Sequence, residues 1–302
     1  MDLRRLTYFL AVADHGGFSA AARAIFVSQP ALSLAVKELE ADVGTPLFRR
    51  IGRQVLLTPA GEALVGPARQ TLRDVETARA AVAEVAGLRG GTLAIASLPT
   101  LAADPLADLV GQFRRHHPDV VVDLAAPEDS PDVIAMVRDG RRELGITEDD
   151  RLPDDLVAHG IGSQALLLVL PPRDVGVVAA AGRARKRMAL ARVASLPFVA
   201  APSGTSTRRL LDDWFATTGA TPRVAVVTAQ RDAILPLVLA GAGAALVPEP
   251  LAATAEAGGA VVARPDPPIT RHIVLVHATG PMAPAAARFV AMATEPTSRS
   301  SA

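Results

Sequence analysis

Several things are missing from this chain. It has no cysteine, a single tryptophan, a single tyrosine and no net charge over 302 residues. Without cysteine there is no thiol nucleophile, thiolate metal site or disulfide staple. Long apolar runs are missing too. Tyr8 to Ala13 stops at Asp14, too short for a signal-peptide core and without a small-residue cleavage site. Ala165–Leu170 and Leu237–Val247 fall well short of the ~20 residues a membrane helix needs. A soluble, cytoplasmic chain without a membrane partner is expected. No P-loop, nucleophile elbow or GxGxxG follows a strand, so neither a catalytic set nor a cofactor is expected. His116 and His117 are adjacent, and His272 and His277 lie an odd number apart along a strand. That spacing puts the second pair on opposite sheet faces, so no metal site is expected. Equal numbers of basic and acidic residues, 31 of each, give no sign of a polyanion partner when averaged over the chain.

What is present is enough apolar material, 50% of residues, for sizeable cores. The length suits two domains at roughly 150 residues each. Leu3, Leu6, Phe9, Leu10 and Ala13 recur at helical spacing until Gly16-Gly17. Ser19 can cap a short helix over Ala20–Ile25. Ser28 can cap a third, with Pro30 in its first turn, where a missing N–H is harmless. That helix places Leu32, Val36, Leu39 and Val43 on one face and Gln29, Ser33, Lys37 and Glu40 on the other. Leu47–Arg50 and Val55–Thr58 flank Gly52 as two strands flank a tight turn. Three helices and a hairpin describe a winged helix-turn-helix.

Thr58 and Pro59 open a long helix in which Leu64, Ala68, Thr71, Val75, Ala78, Val82 and Val85 alternate at spacings of four and three. This heptad seam predicts a helix pair between two chains, with a bend near Pro67. Gly87, Gly90 and Gly91 end it. Beyond, short apolar strands alternate with helices. The strands are Thr92–Ser97, Val120–Ala125, Leu144–Thr147, Ala165–Leu170, Pro197–Ala201, Val224–Thr228, Ala244–Val247 and Ile273–His277. The pattern predicts a mainly parallel sheet covered on both faces, divided into two lobes. Short segments after Ile161 and near Arg264–Pro268 would cross between the lobes, and the last strand would return to the first lobe. The fold class is thus α/β behind a helical amino terminus. Its divisions are a winged helix-turn-helix unit at 1–58, a linker helix at 59–88 and a two-lobed domain at 89–302. Lobe one takes 91–163 and 267–294, and lobe two takes 164–266.

The run from Leu6 to Leu64 resembles the DNA-binding domain of LysR-type transcriptional regulators. Phe9–Val12, Gly16–Phe18, Ala21–Ala22, Ser28–Ser33, Leu39–Glu40, Gly44, Leu47–Arg49, Arg53 and Leu57–Gly61 carry the likeness. The resemblance implies a double-stranded DNA operator as partner and a homodimer formed through the linker helix. It also implies a homotetramer on bent DNA, contact with RNA polymerase, and a small-molecule effector held between two lobes built like a periplasmic binding protein.

A helix fits the major groove with its amino-terminal residues nearest the base edges. Gln29 can pair bidentately with adenine, and Ser28 and Ser33 suit phosphates or bases. The helix dipole and the free N–H groups at Ser28–Ala31 suit a phosphate, with Pro30, which has no N–H, in the same turn. Lys37 shares that face. Arg49, Arg50 and Arg53, on or beside the wing, are placed for backbone or minor groove. Leu34 stands where many family members carry a polar residue, so one base-reading group is missing and the operator sequence does not carry over.

In the second half, Thr100, Ser130, Thr147 and Thr228 sit at strand ends or helix starts, and Ser203-Gly204-Thr205 precedes a helix. These are the expected effector contacts. The cleft they predict is hydroxyl-rich without Arg or Lys, suited to neutral hydrogen bonds rather than a buried ion pair. The run Arg183–Arg187 reads as a solvated face, and Asp149-Asp150 with Asp154-Asp155 as a surface loop. Two rival readings stand beside the regulator. One is a small-molecule-binding or metabolic protein whose amino-terminal helices oligomerise; the other is a nucleoid-type DNA binder without an effector. By region, residues 1–60 carry a charge of +2 and residues 91–302 a charge of −2, so the overall neutrality hides a slightly basic amino terminus.

Overall fold

A computed structural model describes the chain except residues 53, 86–89, 149–151, 173–186 and 296–302. Helix α1 (Leu3–His15) starts at Asp2, whose carboxylate accepts from Arg5 N at 2.8 Å. Helix α2 (Phe18–Ala24) starts two residues earlier than expected, with Gly17 at its cap. Ser19 lies inside its first turn and donates to Gln29 Oε1 at 3.0 Å. Helix α3 (Gln29–Val43) is capped by Ser28, whose hydroxyl accepts from Ala31 N at 3.4 Å. Leu32, Val36 and Leu39 are at most 1% exposed and pack on α1 and α2. The hairpin of β1 (Phe48–Ile51) and β2 (Gln54–Leu57) turns at Gly52, φ 62°. Glu40, expected on the outer face of α3, is turned to this wing instead. Its carboxylate accepts from Leu47 N at 2.8 Å and Phe48 N at 3.2 Å.

Helix α4 (Pro59–Val85) runs unbroken through Pro67. Thr58 Oγ1 caps it by accepting from Gly61 N at 3.1 Å. Gly61 is required by close approach, since a Cβ there would lie 2.2 Å from the Leu47 carbonyl oxygen. The heptad seam splits in two. Leu64 and Ala68 pack with Leu6, Phe9, Leu10, Leu39 and Leu47 of the same chain's core, whereas Ala78 and Val82 are exposed. An intramolecular core claims the first half of the seam.

The second half begins with β3 (Gly91–Ser97), α5 (Ala107–His116), β4 (Val120–Ala125), α6 (Ser130–Arg138) and β5 (Leu144–Thr147). A helical turn at Pro99–Leu101 and a π-helical one at Ala102–Leu106 lead into α5. Then come β6 (Leu156–Leu170), β7 (Arg187–Ala189), α7 (Leu190–Val193), β8 (Pro197–Ala200), α8 (Ser206–Ala216) and β9 (Arg223–Val227). Helix α9 (Ile234–Leu239), β10 (Ala245–Pro248), α10 (Glu249–Ala257), β11 (Val261–Asp266), β12 (Ile269–Ala278) and α11 (Pro284–Thr294) complete the order. Strands β4, β3 and β5 are parallel neighbours, as are β8 and β9.

The mainly parallel expectation holds for β4-β3-β5, β8-β9 and β7-β11 and fails in both lobes wherever β6 or β12 takes part. Strands β6 and β12 pair antiparallel from Ile269↔Leu166 to Ala278↔Leu156. One end of β12 pairs antiparallel with β5, and the other end of β6 pairs with β10 and β11. The sheet order is therefore β4-β3-β5-β12-β6-β11-β7, with β10 also on β6. Two long strands, not short segments, join the lobes. Lobe one is filled by Leu93, Ile95, Phe113, Leu275 and Phe289, lobe two by Leu168, Phe198, Trp214 and Phe215. Of the basic run, Arg183 to Lys186 lies outside the described residues, as does Asp149-Asp150. Among the described residues no single helix is long and apolar enough to cross a membrane.

Candidate functional site

Two sets of polar residues stand out, one on the outside of the amino-terminal unit and one between the lobes. Burying Leu32, Ala35, Val36 and Leu39 fixes the roll of α3 and turns its other side to solvent. Ser28, Gln29, Pro30, Leu34 and Lys37 are exposed there, and Ser33 is half-buried. Ala31 N is taken by the Ser28 cap and Pro30 has no N–H, so the amides of Ser28 and Gln29 and the dipole behind them are what favour a negative group at the helix start. Arg49 and Arg50 are exposed on β1. As consecutive strand residues they point to opposite sides of the hairpin, so only one can share the side of α3. Arg53 lies outside the described residues. Phe26, in the turn before Ser28, is 95% exposed and held at φ 55°.

Between the lobes, the expectation of a cleft without cations is overturned. Arg271 of β12 is 4% exposed and all its donors are used. Nε donates to Gln164 Oε1 at 3.0 Å, and Nη1 donates to Glu148 Oε2 at 3.0 Å and Ser206 Oγ at 3.2 Å. Nη2 donates to Thr100 Oγ1 at 2.5 Å and again to Gln164. Ser206 Oγ donates to Glu148 Oε1 at 2.5 Å, and Gln164 Nε2 donates to Asp104 O at 2.7 Å. Burial pulls the Arg271 pKa below its ordinary value, and the Glu148 carboxylate opposes that shift. Thr100, Asp104 and Glu148 belong to lobe one and Ser206 to lobe two, while Gln164 and Arg271 sit on the connecting strands. The network is a latch across the cleft. It is reinforced by Ser206 N donating to Glu128 O at 3.1 Å and by the Arg231–Glu128 ion pair.

Of the seven expected effector contacts, Thr100 alone bonds to the latch arginine. Thr147 and Thr205 are buried and directly precede Glu148 and Ser206. Thr205 caps α8, accepting from Arg208 N at 3.4 Å. Ser130 and Thr147 are 2% and 0% exposed, and their hydroxyls find no hydrogen-bond partner among the described residues. Ser203 and Gly204 are exposed, and Thr228 accepts from Gln230 N at 3.0 Å. The sequence reading missed Glu148, Gln164 and Arg271. One signal was available for Arg271: in Ile269–Leu275 it shares the period-2 face of Ile269, Ile273 and Leu275, an inward place for a cation.

Two further features flank lobe one. His159 and His277 stack with Nε2···Nε2 at 3.0 Å, a pair that the sequence spacing did not anticipate. Among the described residues no group of three or more His, Cys, Asp or Glu could hold a metal ion. A cavity of about 1280 Å³ separates α4 from lobe one, lined by Arg69, Arg73, Glu76, Arg142, Glu143 and Arg288 among others. Burial there lowers the Arg73 pKa and raises that of Glu143, whose carboxylate accepts from Ala94 N at 3.1 Å.

Comparison with known proteins identifies the family. Residues 3–62 match the bacterial regulatory helix-turn-helix protein, lysR family, and residues 86–297 match the LysR substrate binding domain. The chain is 31% identical over 253 residues to the HTH-type transcriptional regulator IlvY of Escherichia coli, covering 82% of each. It is 30% identical to the HTH-type transcriptional regulator CbbR of Rhodospirillum rubrum, covering 81% of this chain and 78% of that one. Its fold resembles full-length CbnR, a LysR family transcriptional regulator, solved in complex with its target DNA. That likeness has a TM-score of 0.64 at 26% identity, over 97% of this chain and 99% of that one. It also resembles ArgP of Mycobacterium tuberculosis in fold, with a TM-score of 0.72 at 23% identity, over 97% and 96%. With both halves matched in order, the chain belongs to the LysR family of transcriptional regulators.

Proposed function

We propose that this regulator binds a dyad-symmetric operator through α3 and the wing, using Ser28, Gln29, Pro30, Ser33, Lys37, Arg49 and Arg50, with Arg53 beside them. It does so as a dimer joined through α4 and assembled into a tetramer. The exposed outer face of α3 carries this reading: its buried stripe turns these residues outward, where they offer the amides of Ser28 and Gln29, a bidentate side-chain amide and a cation. The exposed second half of the α4 seam, Ala78 and Val82, supports pairing with a second chain. We assign residues 1–58 to reading DNA, 59–88 to dimerisation and 89–302 to sensing, and we place the protein in the cytoplasm, acting by binding rather than catalysis.

In the sensing half a small polar effector enters between the lobes, among Thr100, Ser130, Thr147 and Thr205, with Ser203, Gly204 and Thr228 at the rim. The unpartnered hydroxyls of Ser130 and Thr147 support this placement. An effector that offers a strong acceptor competes with Glu148 for Arg271 and so changes the latch. Such a ligand moves the protein only by binding the latched and unlatched arrangements with different affinity; the resulting shift reaches RNA polymerase through the way the subunits sit on DNA. A gel-shift titration on the DNA upstream of the protein's own gene tests the first part. A specific complex surviving non-specific competitor at moderate salt is expected, and none forming would refute it. For the second part, a thermal-shift screen of small metabolites should find ligands that raise the melting temperature by mass action.

A further inference from the structure

Leu34 is out of place for a leucine. It is 59% exposed, whereas Leu32 and Leu39 of the same helix are fully buried. At 100° per residue, Leu32, Ala35, Val36 and Leu39 occupy one side of α3. Leu34 falls almost opposite them, with Pro30, Lys37 and Ala41, all exposed. It therefore projects from the middle of the outward face, one turn beyond Pro30. Glu38, its nearest acidic neighbour on the helix, is drawn away by Arg5 at 3.0 Å. An isobutyl group neither donates nor accepts hydrogen bonds, so it cannot read the polar edges of guanine, adenine or cytosine. The major groove offers it one apolar partner, the 5-methyl group of thymine. Lys37, on the same face after it, and Gln29, about 140° around the helix at its start, hold the helix at the groove while Leu34 meets its floor.

We propose that Leu34 is a specificity-determining residue that selects thymine through its 5-methyl group, one thymine in each operator half-site. This rests on the reading that α3 lies in the major groove. The position where a polar side chain would read a base edge is used instead for apolar contact.

The test uses the full-length chain and a duplex that it selects from a random-sequence library. Each thymine is replaced in turn by deoxyuridine, which removes the methyl group and leaves the pairing edge intact. One thymine per half-site should lower affinity about fourfold when replaced, and its symmetry-related pair about sixteenfold, the worth of one and two buried methyl groups. Leu34→Ala should bind the thymine duplex as weakly as the wild type binds the deoxyuridine one, and lose the preference between them. Leu34→Arg should select a duplex with guanine at that place. Wild-type affinity within twofold on every deoxyuridine duplex would overturn the proposal, and so would a Leu34→Ala protein that kept the wild-type preference. Failure of the underlying reading looks different: Gln29→Ala and Lys37→Ala would then bind as the wild type does.

Discussion

The amino-terminal unit and the two-lobed half place their chemistry on opposite sides of their cores. In the first, a small apolar core of Leu32, Leu39, Leu6 and Phe9 is sealed, and the residues assigned to DNA stand outside it on one helix. In the second, the charged residues are themselves inside. Arg271 and Glu148 meet across 123 positions of sequence, between two lobes that are each closed by their own apolar cluster. A surface reader can change its base contacts while its fold stays as it is. A buried latch cannot be altered without altering stability, which ties sensing to the conformation of the lobes.

That contrast is open to breakage, most severely at the latch. Arg271→Ala removes the buried cation of the latch, leaves half-buried Glu148 with only Arg209 at 3.5 Å, and should lower the stability of the two-lobed half by about 3 kcal/mol. The single tryptophan, Trp214, is 3% exposed in lobe two, so its fluorescence during urea unfolding follows this half. Arg271→Met combined with Glu148→Leu should recover most of the loss. A single variant as stable as the wild type would remove the latch from the interpretation.

Leu39→Ala is the counterpart in the reader. Emptying this fully buried site should cost about 2–5 kcal/mol. The amino-terminal unit would melt and the DNA complex would be lost, while the Trp214 transition stays in place. Movement of that transition would mean that the two regions are not separable.

The smallest effect concerns pH. Burial, and secondarily the neighbouring His277, lower the His159 pKa. Between that lowered value and about 6.5, the ordinary histidine value, the unfolded chain binds more protons than the folded one. Stability should thus rise with pH through this window and fall as the solution is acidified through it. Urea midpoints followed by circular dichroism should show the slope, and His159→Gln should make it shallower.

The reader was the more legible region because its determinants are local. Ser28, Pro30 and Gly44 punctuate α3 within 17 residues, and Gly52 marks the hairpin turn. Even here local rules erred where tertiary contacts intervened. Gly17 rather than Ser19 opens α2, Ser19 bonding to Gln29 instead of capping, and Glu40 was diverted to the backbone of the wing. The first half of the α4 seam reads alike for a core and for a partner helix, and only the structure assigns it to the core.

In the two-lobed half, the strand ends at Ser97 and Thr147 were legible, and so was the strand–helix alternation. The start of β6 was not, since Gly160, Gly162 and Ser163 interrupt its apolar pattern. The latch was hidden for another reason. Thr100, Glu148, Gln164, Ser206 and Arg271 belong to five separate segments, and no spacing rule links them. Hydroxyls at strand ends marked the neighbourhood, while the charged centre depends on how β6 and β12 cross.

The separation of a surface reader from a buried sensor is tested most directly at Gln29. Its affinity for the selected duplex is measured by fluorescence anisotropy for wild type and Gln29→Ala, with both melting temperatures recorded. Loss of bidentate pairing in two half-sites should weaken binding at least about tenfold at an unchanged melting temperature. Unchanged affinity, or a loss that appears only together with a lower melting temperature, would contradict it.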